Sequence, residues 1–178
     1  MSHELNIRTA DRNDLPALLE LYRQLHPADE PVSPEVASNR LGQLLLYPGS
    51  SVLVGILDEA TVATCTLIVI PNLTRGAKPY ALIENVVTDA RHRKRGYGRL
   101  VLEAAMTAAW RRDCYKVMLL TGSKDPATLK FYAEAGFEQS KTGFRHGTLP
   151  SGKVRTTPAA CGGRGFWSNA GSISSRRR

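Results

Sequence analysis

YALIENVVTDARHRKRGYGRLVLEAAMTAAW, residues 80–110, joins three local instructions. Tyr80–Thr88 is apolar, rich in β-branched residues and bounded by turn formers, which reads as a strand. Gly96 and Gly98 then sit among six basic side chains: Arg91, His92, Arg93, Lys94, Arg95 and Arg99. An apolar run follows at once and predicts a helix from Gly98 to Arg112. The first N–H groups of a helix have no intrahelical partner. The macrodipole makes that end effectively positive, so together they form an anion site. Glycine is required where φ is positive or where a phosphate approaches the backbone closely. The stretch therefore predicts strand, phosphate-holding loop and helix, against the simpler readings of a solvated charge run or a nucleic-acid patch.

Two common phosphate loops do not fit. A Walker loop needs GxxxxGK[ST], which is absent here. A dinucleotide loop needs GxGxxG, and Leu100-Val101 follow Gly98 where the third glycine would come.

Outward from this stretch, the chain alternates strand and helix signals. Leu5–Ala10 alternates apolar and polar residues and predicts a strand. Asp14 is the expected cap of a helix through LPALLELYRQL, with Leu15, Leu18, Leu19, Leu21 and Tyr22 near one face. HPADEPVSPE (His26–Glu35) reads as a Pro-rich loop, and Ser33-Pro34 as the start of a second helix ended by Pro48-Gly49. SSVLVGILD and ATVATCTLIVIP predict two strands joined by a turn at Asp58-Glu59. Beyond the quoted stretch, KVMLLTG predicts a buried strand. Pro126 suits the first turn of a further helix that ends at Gly136. FEQSKTGFRHG predicts short closing strands. The order β-α-α-β-β-β-α-β-α-β gives an α/β (α+β) fold, a mixed sheet with helices on its faces.

Length and composition narrow the function. A chain of 178 residues suits one domain with a substantial core. No apolar run approaches the ~20 residues of a membrane span. MSHELNIRTADRNDLP has no apolar core of a signal peptide, so the expected location is cytoplasmic. Cys65, Cys114 and Cys161 lie far apart and predict free, mostly buried thiols. His3, His26, His92 and His146 have no metal-ligand spacing, so no metal is expected.

The net charge of +8 is unevenly spread. Residues 147–178 hold Lys153, Arg155, Arg164, Arg176, Arg177 and Arg178 and no acid, leaving the other 146 residues at only +2. That segment also carries six of the 15 glycines and lacks apolar periodicity. It reads as a basic Gly/Ser-rich extension, 147–178, following a domain at 1–146. A nucleic-acid binder is the least favoured reading. The chain has no helix-turn-helix or zinc pattern, and 7% aromatic residues offer little stacking platform.

Arg93-Lys94-Arg95-Gly96-Tyr97-Gly98 matches R/Q-x-x-G-x-G/A. Downstream, Ala127, Phe131, Tyr132, Gly136 and Phe137 form an A-xxx-FY-xxx-GF pattern. These blocks, in this order after the strand IENVVT, resemble the GNAT superfamily of acetyl-CoA-dependent N-acetyltransferases over residues 4 to 146. The resemblance implies a mostly antiparallel central sheet with a splayed central strand pair and helices on both faces. It implies acetyl-CoA as co-substrate. The pantetheine arm would pair with backbone at Val86, Val87 and Thr88. The pyrophosphate would rest on the loop Arg93, Lys94, Arg95, Gly96, Tyr97, Gly98 and Arg99. Asp125 falls where many members carry a cofactor-contacting asparagine; the change to aspartate before Pro126 departs from that pattern and favours a helix cap.

The resemblance places Tyr132 as proton donor to the departing thiolate. A phenol of ordinary pKa near ~10 is protonated at neutral pH and suited to donate; the plainer reading is a core aromatic beside Phe131. An ammonium cannot attack a thioester until a base removes a proton. Glu84 is the candidate base, because a carboxylate inside so apolar a strand is unexpected unless paired or functional. Period 2 puts it on the face of Leu82 and Val86, unless the bulge common in the family alters that face. A salt-bridged or strand-edge glutamate is the alternative. In the family, the first two helices and their loop build the acceptor pocket, so Asp29, Glu30 and Glu35 would steer a cationic amine. PNLTRGAKPYAL, the loop entering the cofactor strand, is a second hint to the acceptor. Amino sugars, polyamines, amino acids and protein N-termini remain open as acceptors, with a small-molecule or peptide-like primary amine expected. A homodimer fits the resemblance too, and a non-catalytic CoA-binding module of the same fold is the competing function.

Overall fold

β-branched and apolar residues at alternating positions build the sheet, described by a computed structural model over residues 4–140 and Gly143. The strands are β1 (Asn6–Thr9), β2 (Ser50–Leu57), β3 (Ala60–Ile70), β4 (Tyr80–Thr88) and β5 (Val117–Leu119). They lie in the order β1-β2-β3-β4-β5. The first three pairings are antiparallel and β4–β5 is parallel.

The helices are α1 (Leu15–Leu25), α2 (Pro34–Leu46), α3 (Tyr97–Trp110) and α4 (Pro126–Glu134). Pro34 occupies the first turn of α2, and the Ser33 hydroxyl accepts the Val36 N–H at 3.3 Å, as a cap should. Asp58 and Glu59 both have positive φ, 48° and 67°. That conformation matches the right-handed twist of the β2–β3 hairpin they join.

Side-chain alternation sorts the core into two clusters, one on each sheet face. Leu53, Ala63, Cys65, Leu67, Ala81 and Ile83 pack with Val101, Leu102, Ala105 and Ala109 of α3, and Phe131 and Tyr132 of α4 lie against this cluster. Val52 and Val54 pack with Leu18 of α1 and Leu41 of α2. The alanines of α3 let that helix lie close to the sheet. Cys65 and Cys114 are buried free thiols, and burial pushes Cys65 up to about 12, so it stays an inert thiol at neutral pH.

Two register shifts matter for the site. Gly55 pairs with Ala63 but Ile56 pairs with Thr61, so Val62 is an extra residue on β3. Its carbonyl accepts the N–H of Asp89 at 2.9 Å. On β4, Thr64 pairs with Val87 and Thr66 with Glu84, leaving one residue too many around Asn85. Asn85 takes the left-handed conformation, φ 51°, which asparagine tolerates better than most residues.

Three expectations change. Asp14 precedes α1 but does not cap it; its buried carboxylate binds Arg8 at 2.6 and 2.8 Å and the Asp11 N–H at 2.8 Å. Asp11 is the cap instead, accepting the Asn13 N–H at 2.7 Å, because a 3-10 turn (Arg12–Asp14) precedes the helix. KVMLLTG forms only a half-buried three-residue strand, with Leu120 already 69% exposed, because its pairing to β4 stops at Ile83. Val86 packs with the cluster of Ile83, since the bulge at Asn85 breaks the alternation that put it beside Glu84. Phe137–Ser140 form no strand; most of the remaining closing segment, the extension 147–178, His3, His146 and Cys161 lie outside the described residues.

Leu18→Ala and Leu102→Ala, one on each face, should each cost about 2–5 kcal/mol in denaturant unfolding. The two clusters share no buried members, so the double variant should show the sum within about 0.5 kcal/mol.

Candidate active site

A parallel strand pair that separates leaves backbone groups without partners, and β4 does this. It pairs with β5 only at Ala81, Leu82 and Ile83, then runs on to Thr88 with no further strand among the described residues paired to that edge. The gap is a cleft of ≈ 200 Å³. Glu84, Asn85 and Val86 line one wall, and Leu119–Gly122 the other. Tyr132 of α4 closes one end; Leu25 and His26, at the end of α1, complete it.

Glu84 and Tyr132 thus meet in one cleft. Glu84 is half-buried on β4 opposite Thr66. Tyr132 is half-buried against Phe131 and Phe137, with ring centroids 5.1 and 6.3 Å away. Burial pushes its phenol above the ordinary value of 10.0, and the Glu84 carboxylate adds to the rise. The phenol therefore stays protonated through neutral pH. Gly136, φ 90°, ends α4 and lets the Phe137 N–H reach the Tyr132 carbonyl at 3.0 Å, which fixes the backbone at the tyrosine.

The loop between β4 and α3 begins at Asp89, which is 3% exposed. Its carboxylate accepts the Arg91 N–H at 2.8 Å, the Arg91 guanidinium at 3.0 Å and the Gln24 amide at 3.3 Å. Arg91 above all holds it well below the ordinary carboxylate range. The chain then turns through Lys94, φ 59°, and Gly96, φ 85°. The first helical bond of α3 is Leu100 N–H to Gly96 O at 3.1 Å, so the N–H groups of Tyr97, Gly98 and Arg99 precede it and lack a helical acceptor.

The two glycines serve different needs. Apart from Gly96 itself and its two chain neighbours, no described residue places an atom within 4 Å of where a Cβ at Gly96 would sit, so among the described residues that side of the loop is open for a ligand. A Cβ at Gly98 would meet Thr88 Oγ1 at 2.7 Å; glycine there lets α3 approach β4.

The basic run is not one free patch. Arg91 serves Asp89, Arg93 Nε donates to the Thr88 carbonyl at 3.2 Å, and Arg99 pairs with Glu103 at 2.7 Å. Lys94 and Arg95 are exposed beside the open face of Gly96. Val87 is buried, so only its backbone is available to a ligand. Asp125 caps α4: its carboxylate accepts the Ala127 N–H and the Thr128 hydroxyl, both at 3.1 Å, and it does not line the cleft. Asp29, Glu30 and Glu35 are exposed and line no part of the cleft.

Sequence reasoning missed Gln24, Leu25, His26, Asn85 and Asp89. An asparagine inside an apolar strand is a signal for Asn85, and an aspartate just after the strand for Asp89; for the α1 residues no local signal existed.

A strand with a parted edge, a bulge beside a carboxylate and a glycine loop opening a helix thus lie along one continuous segment, residues 80–98. The acetyltransferase (GNAT) family model matches residues 15–137, and the chain belongs to this family of acyltransferases, which uses acetyl-CoA. A solved structure from Agrobacterium tumefaciens str. C58, described as an acetyltransferase by class and not by substrate, is 48% identical. It superposes with a TM-score of 0.77 over 79% of this chain and 97% of that one. A glucosamine 6-phosphate N-acetyltransferase of Trypanosoma brucei brucei is 27% identical over 144 residues, 80% of this chain and 95% of that protein. The glucosamine-6-phosphate N-acetyltransferase of Arabidopsis thaliana, 23% identical with a TM-score of 0.72 over 80% and 97% of the two chains, shares the fold. No helix among the described residues is long and apolar enough to cross a membrane.

Asp14 and Asp89 are both held below their ordinary 3.8. Their stabilisation is present above that value and is lost as pH falls through the lower folded values. Unfolding free energy should therefore fall from about pH 5 downward. Asp89→Asn should be less stable by about 1–3 kcal/mol at neutral pH and give a flatter acid limb in urea melts; an unchanged limb would mean the Asp89 cluster does not set it.

Proposed function

We propose that this protein transfers the acetyl group of acetyl-CoA to a primary amine of a small molecule by direct attack. The observation that carries this reading is the meeting of Glu84 and Tyr132 in the cleft where β4 parts from β5.

The residues present fit the co-substrate. N–H groups from Lys94 to Arg99 around the open face of Gly96 suit a pyrophosphate, and Lys94 and Arg95 add charge. The free edge of β4 at Val86, Val87 and Thr88 suits an amide-containing arm added as a strand. Acetyl-CoA, when bound, supplies the activated acetyl group. The cleft, ≈ 200 Å³ against ~300–1,000 Å³ for pockets that take a whole ligand, suits the reacting ends alone.

Glu84 accepts a proton from the incoming ammonium, directly or through water, which frees the nitrogen lone pair. Attack of the nitrogen on the thioester carbon would break the carbon–sulfur bond, and the nitrogen's second proton would then pass, directly or through water, to the phenolate that Tyr132 becomes on donating. Tyr132 donates its phenolic proton to the departing sulfur. Its raised pKa keeps that proton in place until then. Leu25 and His26 form the wall from which the amine enters. The two amino-sugar acetyltransferases among the similar proteins support a small-molecule acceptor over a macromolecular one.

Thiol release from acetyl-CoA with a panel of amino sugars, polyamines, amino acids and peptides tests the acceptor class. Turnover with none of them, although CoA binds, would return the non-catalytic module. Tyr132→Phe should lower kcat about 10²-fold or more with little change in the acetyl-CoA KM. Glu84→Gln should leave a residual rate that climbs with pH as free amine becomes available. Full activity in both variants would remove their assigned roles. Gly96→Val should abolish CoA binding and Lys94→Ala should weaken it moderately; equal effects would favour side-chain charge over backbone N–H groups.

A further inference from the structure

The last turn of α1 faces two ways. Gln24 reaches across the fold to the phosphate loop, 65 and 66 positions away in sequence. Its Oε1 accepts the Ala90 N–H at 2.9 Å, and its Nε2 donates to Asp89 Oδ2 at 3.3 Å. The orientation of this amide is fixed by chemistry. The Ala90 N–H only donates, and the ionised Asp89 carboxylate only accepts, so a flipped amide would set donor against donor and acceptor against acceptor. The next two residues, Leu25 and His26, line the cleft that holds Glu84 and Tyr132. The His26 N–H closes the helix on the Tyr22 carbonyl at 2.9 Å.

We propose that Gln24 is a positioning residue that couples the phosphate loop to the acceptor wall. The inference rests on reading the loop as the CoA pyrophosphate site. A ligand that fixes the loop fixes Asp89 and Ala90, and through them the end of α1. Leu25 and His26 are then set for the amine. Coupling of this kind is reciprocal, so an acceptor that orders the wall also favours the loop conformation that holds CoA.

Calorimetric titration with CoA, combined with hydrogen exchange of the α1 amides, tests this. In the wild type, CoA should slow exchange in the last turn of α1. Gln24→Ala should raise the CoA Kd about tenfold, the loss of one or two net hydrogen bonds, and should remove that slowing. A purely structural tie would lower the melting temperature and leave both readouts alone. Gln24→Glu keeps an acceptor for Ala90 but sets a second carboxylate against Asp89. Among the described residues, the other charged or titratable side chains around this point are Arg91, His92 and, next to Arg91, Glu20. At about pH 7.5 this variant should bind CoA no better than the alanine variant. At about pH 5.5, relative to wild type at the same pH, it should recover as the new carboxyl protonates. Wild-type affinity in both variants, or persistent slowing in Gln24→Ala, would overturn the coupling alone. Failure of the wild type to bind CoA would overturn the reading of the site and this inference with it.

Discussion

The buried carboxylate of Asp89 is the point on which the site is assembled. Placing an anion next to a prospective pyrophosphate site looks self-defeating, since like charges repel. The resolution is local neutralisation. Arg91 wraps back on Asp89 through both its N–H and its guanidinium, so the carboxylate organises the loop without presenting charge to a ligand. The same carboxylate and its own N–H gather β3, through Val62, and α1, through Gln24. Part of a basic run that suggests ligand affinity is thus consumed in holding an internal acid.

The second constraint is the bulge at Asn85. A regular β4 would put Glu84 and Val86 on one face. One extra residue sends the Val86 side chain to the α3-side cluster, while the half-buried Glu84 lines the cleft. Just beyond the last rung with β5, this leaves a carboxylate beside unpaired backbone. In the proposed reaction the base and the backbone offered to the ligand are therefore provided by one short segment, 84–88, with different parts of the same chain: side chain at Glu84, main chain beyond it.

Much of this was legible in the sequence, because the signals were local. Pro34 and Pro126 marked helix starts, Gly136 a helix end, and Gly96 a positive φ. The alternation of β2 and β3 and the apolar run of α3 gave their elements directly. What escaped was set by distance in sequence. Asp14 resembled a cap, and only its pairing with Arg8 shows another use. KVMLLTG carried the apolar run of a buried strand, yet strand length was decided by where β4 turns away. Asp125 suited a cap, and its two 3.1 Å bonds to its own helix make it one, whatever contact it offers a cofactor. Leu25 and His26 could be placed at the cleft only once the end of α1 was seen against β4.

The extra residue at Val62 carries a consequence for how this chain can change. Surface hairpins ordinarily accept added or deleted residues freely, because a loop tip has little to disturb. The Asp58-Glu59 hairpin is not free in that way. Its length sets the count along β3, the count decides which carbonyl bulges outward, and that carbonyl receives the Asp89 N–H. A turn remote in sequence from the glycine loop therefore acts as its gauge: a single residue gained or lost there would be felt at the loop proposed to hold the phosphate.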